Sequence, residues 1–324
     1  MGNGGSRAWW FAVADRMIDV SSGLPPDVTR TALTVGSFDG VHRGHQDVLR
    51  QLAARARRLG VHSLLVTFDP HPLEVVNPAA APRLLTVGDE KLEVLAESGI
   101  DFVAVVPFTP ALAAYSAERF VDEILLHRFR MHDLMMGYDH RFGHNRAGDA
   151  ATMQRLGSER GFDVTVVPAV TVNGGQNISS TAIRRAVAGG DLDGAFRGLG
   201  RHYALGGRVG EGARRGRLLG FPTANVPVPS PRKLLPPEGV YAVRVQTPMG
   251  PYDGMLNLGP RPTFGDAETV VEAHLFDFDL DLYGARVRID FVSRLRDTQK
   301  FNGVDALVAQ LNVDAQNARR ILAG

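Results

Sequence analysis

The chain has 324 residues, a length that favours about two domains, and its 44% hydrophobic and 22% charged residues are those of a soluble globular protein. A formal charge of +1 argues against a broad nucleic-acid-binding face. The absence of cysteine excludes disulfides, thiolate catalysis and cysteine-ligated metals, and fits a reducing cytosol.

At the N-terminus, Met1-Gly2-Asn3-Gly4-Gly5-Ser6 matches a myristoylation pattern but is read as a glycine-rich tail. The apolar run at 8–13 is too short for a signal-peptide core, and no run approaches the roughly 20 residues that span a bilayer. Residues 32–35 then read as a buried strand, followed by a helix over 44–59 with Val48, Leu49, Leu52, Ala53 and Ala56 on one face. Further strands are predicted at 63–68, 102–106, 134–137 and 164–167, with helices at 88–98, 117–127 and 150–160 between them. Ser116 is the expected N-cap of the 117–127 helix. Strands separated by helices predict a parallel sheet covered on both faces, with ligands beyond the carboxyl ends of the strands.

The texture changes near Leu199-Gly200-Arg201-His202-Tyr203. At 240–245 and 286–291, apolar and polar residues alternate with period two, which predicts an antiparallel sheet or small barrel. Pro248-Met249-Gly250 signals a turn, the proline-rich 227–237 a loop, and 304–322 a closing helix.

The first strand runs into Gly36-Ser37-Phe38-Asp39-Gly40-Val41-His42-Arg43-Gly44-His45. This places two imidazoles and several glycines at a helix N-terminus, where unpaired N–H groups and the positive end of the helix dipole suit a phosphate. Phe68-Asp69-Pro70-His71-Pro72, Gly137-Tyr138-Asp139-His140-Arg141-Phe142-Gly143 and Ile178-Ser179-Ser180-Thr181-Ala182-Ile183-Arg184 follow later strands, so one cleft could gather all of them. Ser179 or Ser180 can cap a helix opening at Thr181, from which Arg184 can reach a polyphosphate. Beyond the change in texture come a glycine-rich stretch over 206–217, containing Gly207, Gly212 and Gly216, and then Gly220-Phe221-Pro222-Thr223-Ala224-Asn225. Thr223 and Asn225 offer hard oxygen ligands for magnesium.

Together these runs resemble the prokaryotic bifunctional riboflavin kinase/FAD synthetase family over roughly residues 31–322, in the family order. The resemblance implies an α/β parallel-sheet, Rossmann-like nucleotidyltransferase domain at 1–199. A small antiparallel β-barrel domain with a C-terminal helix is implied at 200–324. It implies that riboflavin and ATP give FMN in the second domain, and that FMN and ATP give FAD and pyrophosphate in the first. ATP is the phosphoryl and adenylyl donor, magnesium accompanies it, and neither nucleic acid nor membrane is expected as a partner. Gly36, Phe38, Asp39, Gly44, Ser179, Ser180, Thr181, Gly207, Gly212, Gly216 and Pro222 are implied in ATP binding. His42, His45 and Arg184 are implied in adenylyl transfer, and Asp139, Arg296 and Phe301 in flavin binding. Val271-Glu272-Ala273-His274-Leu275-Phe276 matches the strand carrying the family's catalytic glutamate, which makes Glu272 the candidate base, while Asn257-Leu258-Gly259 and Pro262-Thr263-Phe264 match a further element. His274 is read as an ordinary strand histidine. Two positions depart from the family pattern: His140 stands where phenylalanine is common, and Thr298 where glutamate is common. The alternatives are a riboflavin kinase with a weak or inactive adenylyltransferase domain, and a non-catalytic flavin-binding regulator.

Overall fold

The computed structural model describes residues 17–137, 148–168, 171–172, 176–211, 219–260 and 269–324. Asp139, His140, Gly212, Gly216 and the Pro262-Thr263-Phe264 element lie outside them. The described residues divide into two compact units, one comprising 17–83 and 91–179, the other 84–90 and 180–324.

The first unit is built on a six-stranded parallel sheet. Its strands are β1 (Ile18–Asp19), β2 (Thr31–Val35), β3 (His62–Asp69), β4 (Phe102–Pro107), β5 (Met131–Gly137) and β6 (Asp163–Val167), in the spatial order β1-β4-β3-β2-β5-β6. The helices are α1 (Arg43–Leu59), α2 (Gly88–Ala96, with Lys91 onward in this unit), α3 and α4 (Ala150–Arg160). α3 is α-helical over Ala117–Arg119 and continues as a π-helix over Phe120–Arg128. The Ser116 hydroxyl caps it by accepting from the Arg119 N–H at 3.1 Å. A two-stranded antiparallel ladder, β7 (Thr171–Val172) with β8 (Gln176–Asn177), completes the unit.

Successive residues of the central strands feed opposite cores, as a sheet covered on both faces requires. Leu33, Val35, Leu64, Val66 and Phe102 pack with Phe120, Val121 and Leu125 of α3. Their neighbours Ala32, Leu65 and Val103 pack with Leu49, Leu52 and Ala56 of α1. Arg55 fixes α1 to the sheet, its Nε donating at 2.7 Å to Oδ2 of the fully buried Asp133 on β5. β1 is too short for periodicity to reveal and is held by its pairing of Ile18 with Phe102 on β4.

The second unit contains β9 (Tyr203–Arg208), β10 (Ala224–Asn225), β11 (Gly239–Thr247), β12 (Gly250–Pro260), β13 (Thr269–Leu275) and β14 (Arg286–Arg296). These form a curled antiparallel sheet in the order β10-β13-β12-β11-β14-β9. Its two edges meet where Gly210, just past β9, donates its N–H to the Asn225 carbonyl at 2.8 Å. Gly207 is needed for this approach, because a Cβ there would sit 2.7 Å from a methyl of Val226. α5 (Ser180–Ala188) and α6 (Leu192–Leu199) precede the sheet, and α7 (Val304–Ala323) follows it.

The alternating pattern anticipated one covered face, and Tyr241, Val243, Val245, Ile289 and Phe291 do line the interior. The outer face is covered in part as well. Ala318 and Leu322 of α7 pack on Ala242, Met255 and Phe276, which explains a buried Ala242 between two inward residues.

Lys233 sits fully buried in this unit, inside the loop anticipated at 227–237. Its ammonium donates at 2.7 Å to the Leu85 carbonyl, at 2.6 Å to Oε1 of Glu90 and at 2.7 Å to the Ala204 carbonyl, and it lies 4.5 Å from the Tyr203 ring centroid. Three acceptors and a ring face compensate a charge that burial alone would make prohibitive. This arrangement ties 84–90 to the antiparallel sheet. Among the described residues no helix is long and apolar enough to cross a membrane.

Two candidate active sites

In the first unit the glycine-rich run leaves β2 and enters α1 through a strained turn. Phe38 and Val41 both adopt left-handed backbone, with φ of 45° and 40°, and Gly40 between them has φ of 79°. Such conformations cost of order 1–3 kcal/mol each for residues other than glycine, so their surroundings must hold them. Here both side chains are buried in the α1-side core, and the Val41 N–H donates to the Phe38 carbonyl at 3.1 Å.

His42 is the N-cap of α1. Its Nδ1 accepts the His45 N–H at 3.2 Å, which places the ring proton on Nε2 and makes that nitrogen a donor. The His45 ring stacks on His42 with centroids 3.6 Å apart and lies 4.6 Å from the Phe38 ring. No acidic residue occupies the first turn of α1, the end where the helix dipole favours an anion. Phe38, His42 and His45 therefore form one packed group, with the buried Asp39 and the half-buried Gly44 in the same turn.

Sequence reasoning missed the group beneath this turn. Lys91 donates at 2.6 Å to the Ser37 carbonyl and at 2.7 Å to the Thr67 hydroxyl, linking the carboxyl ends of β2 and β3. Burial lowers its pKa to about 8, with Asp39 and Asp69 pulling the other way. Nothing in a helical Lys-Leu-Glu pattern separates such a lysine from a solvated one. His71 is the N-cap of a short helix, Pro72–Val76, its Nδ1 accepting from the Leu73 N–H at 3.2 Å while its own N–H donates to Glu74. α5 opens at Ser180, one residue before the anticipated Thr181, and Ser180, Thr181 and Arg184 count with the second unit.

In the second unit, β10 places Asn225 directly opposite Glu272 on β13, and β12 places Asn257 opposite Glu272 on the other side. Residues in register share a face, so one polar row crosses three strands with the carboxylate in the middle. No ion pair among the described residues neutralises Glu272. Asn225 donates from Nδ2 to the Glu211 carbonyl at 3.0 Å, and the Oδ1 of the same amide is an acceptor. Thr223, two residues earlier, is exposed. Among the described residues no cluster of three histidines or carboxylates could cage a metal. One hydroxyl, one amide oxygen and a nearby carboxylate suit magnesium, which keeps waters and takes phosphate oxygens alongside few protein ligands.

Arg296 is committed to α7. Its Nε lies 3.0 Å from both oxygens of buried Asp314 and its Nη2 2.7 Å from one, with Gln310 donating to the same carboxylate at 2.9 Å. The guanidinium carbon stands 5.7 Å from the Phe301 ring centroid, so the pair forms one corner at the end of β14. Asp314 was legible only as a charge on a helix, and the structure makes it the anchor of that corner. The Thr298 methyl lies near Gly259, where a Cβ would approach it at 3.5 Å.

A parallel α/β unit with a glycine-rich strand-to-helix turn, followed in the chain by an antiparallel unit with a carboxylate between two asparagines, is the arrangement of two nucleotide-dependent transferase modules. Comparison supplies the family. The chain matches the family model for FAD synthetase over residues 24–182 and that for riboflavin kinase over residues 199–322. It is 41% identical to the bifunctional riboflavin kinase/FMN adenylyltransferase of Escherichia coli K12 over 289 residues, 89% of this chain and 91% of that protein. The corresponding protein of Pseudomonas fluorescens is 40% identical over 301 residues, 93% of this chain and 96% of that one. A crystal structure from Streptococcus pneumoniae, described as a macrolide-efflux protein, has a TM-score of 0.81 at 30% identity and covers 94% of this chain and 99% of its own. The chain belongs to the bifunctional riboflavin kinase/FMN adenylyltransferase family.

Proposed function

We propose that the chain phosphorylates riboflavin to FMN with ATP, releasing ADP, and adenylylates FMN with a second ATP, releasing pyrophosphate. In sequence order the adenylyltransferase residues lie within 1–199 and the kinase residues within 200–324. The observation that carries the kinase reading is the register of Glu272 between Asn225 and Asn257. Glu272 accepts the proton of the ribityl 5′-hydroxyl as that oxygen attacks the γ-phosphorus. Thr223 and Asn225 would hold magnesium together with the ATP phosphates, and the ion would supply charge neutralisation for the transferring group. Pro222 and Gly207 border the nucleotide, and the Arg296–Phe301 corner borders the flavin.

For adenylyl transfer the attacking FMN phosphate is already anionic near neutral pH, so the site needs no general base. It needs alignment and donors aimed at the charge on the α-phosphate and the departing pyrophosphate. The stacked pair His42 and His45 and the N–H groups at the start of α1 fit that task. Gly36, Phe38, Asp39 and Gly44 shape the turn. Ser179, Ser180, Thr181 and Arg184 are assigned to the ATP phosphates, and Asp139 to the flavin, on family resemblance. Incubation with riboflavin, ATP and magnesium followed by chromatography tests the whole reading. FAD is the expected product, FMN alone indicates a silent adenylyltransferase site, and unchanged riboflavin indicates a binding protein without catalysis. The reactants and the absence of cysteine fit a cytoplasmic setting.

A further inference from the structure

β13 presents Glu272 and His274 two residues apart on one face, and Phe276, just past its end, belongs to the cluster beneath α7. His274 sits at that border, paired in register with the buried Met255 of β12. Its Nδ1 lies 2.7 Å from the Pro222 carbonyl oxygen. Since the carbonyl can only accept, Nδ1 must carry the proton, and His274 is the donor. The ring is held edge-on to Phe221, with centroids 5.2 Å apart, and to Phe276, with centroids 5.7 Å apart. Phe221 in turn packs against the α7 cluster.

The segment that carries Thr223 is therefore pinned on both sides. Before it, Phe221 is fixed by packing and Pro222 by the His274 hydrogen bond. After it, Ala224 and Asn225 are fixed by pairing with Ala273 and Glu272. Glu272 and His274 share a strand, so one element holds both the candidate base and the backbone that aims the candidate magnesium ligand. We propose that His274 is a positioning residue of the kinase site, which fixes the Pro222 carbonyl and thereby the Thr223 hydroxyl relative to Glu272. This rests on the kinase reading above. Burial lowers the pKa of His274, the Pro222 carbonyl partly offsets this and Arg319 adds to it; a neutral ring with its proton on Nδ1 and an imidazolium both donate from that nitrogen.

Full-length protein carrying His274→Leu, which loses the donor, and His274→Asn, whose side-chain amide can donate from nearly the same place, separates positioning from packing. Groups that orient metal ligands typically contribute about 10- to 100-fold. Riboflavin phosphorylation by His274→Leu should need about that much more magnesium for half-saturation, with a smaller fall in kcat, and His274→Asn should recover most of the loss. Adenylylation of supplied FMN should stay at the wild-type rate in both. Long-range 1H–15N NMR of the wild-type protein should show His274 as the Nδ1–H tautomer without any nucleotide present. An Nε2–H tautomer would overturn the proposal, as would a folded leucine variant with unchanged magnesium dependence. If the leucine variant does not fold, an asparagine variant that folds but binds magnesium–ATP as an unanchored site does, at least tenfold more weakly by calorimetry, would also overturn it. A wild-type protein that forms no FMN would remove the kinase reading itself, whereas wild-type kinase activity with indifferent His274 variants removes only the anchor.

Discussion

Asn225 and Glu272 stand directly opposite each other across the antiparallel pair β10–β13, although they lie 47 positions apart in the chain. Cross-strand partners hold their Cβ atoms about 4.5–5.5 Å apart, so an amide oxygen and a carboxylate are brought to one face without either being buried. That spacing suits a metal ligand beside a base, because the hydroxyl to be deprotonated and the metal-bound phosphate must lie within a few ångströms of each other.

Glu272→Gln keeps the shape of the side chain and removes the proton acceptor. FMN formation should fall by roughly 100-fold or more. FAD formation from supplied FMN should be unchanged. Normal riboflavin phosphorylation by the variant would show that Glu272 is not the base.

His42→Ala and His45→Ala each remove a group from the stacked pair. Loss of one donor to developing charge typically lowers the rate by about 100- to 1000-fold. FAD synthesis should fall by that order while FMN formation persists. His42→Ala should also lower stability by about 1 kcal/mol, because it deletes the N-cap of α1, whereas His45→Ala leaves that cap acceptor in place. Wild-type FAD synthesis by the double variant would refute the assignment.

Lys91 makes stability depend on pH in a sense opposite to that of a salt-bridged lysine. Its pKa falls from 10.5 in the unfolded chain to about 8 in the folded one. Between these values the unfolded state binds the extra proton, so stability rises as pH increases through the window and is lowest below it. At about 1.4 kcal/mol per unit, the full effect is on the order of 3 kcal/mol. Denaturant titrations of wild type and Lys91→Met between pH 7 and 11 should show the wild type gaining on the variant as pH rises. Parallel curves would mean that the ammonium is not held in a desolvated place.

A fragment of residues 198–324 contains Thr223, Asn225 and Glu272 but lacks Leu85 and Glu90, two of the three oxygen partners of the Lys233 ammonium. Breaking a buried pair by removing one partner typically costs about 3–5 kcal/mol. The fragment should melt well below the intact protein, and Lys233→Met should stabilise it. In the full chain the same substitution leaves Glu90 buried without its cation and should be destabilising. A substitution with the same sign in both contexts would show that 84–90 does not depend on Lys233.

The sequence by itself determined the alternation of the longer strands and helices over 31–167, the change to period-two alternation beyond Tyr203 and the position of the glycine-rich turn between the first long strand and its helix. These follow from local properties: hydrophobic period, glycine placement, and residue types clustered within ten positions. It also marked Thr223 and Asn225 as hard oxygen ligands within a short unusual run, whereas Glu272 was a candidate base only through the resemblance of the run around it to a family motif. It could not separate Glu272 from an ordinary outward strand charge, because register across β10, β13 and β12 joins distant segments and no local period encodes it. Lys91, Lys233, His274 and Asp314 were hidden for the same reason. Each reads locally as a solvated or unremarkable polar residue. Each takes its role from acceptors, donors or rings contributed by other parts of the chain, and desolvation by those same parts makes the interaction strong. The covered outer face at Ala242 and Met255 is a further tertiary decision. A two-residue alternation records which side chains face the barrel interior, whereas only the packing of α7 decides how much of the other side meets water.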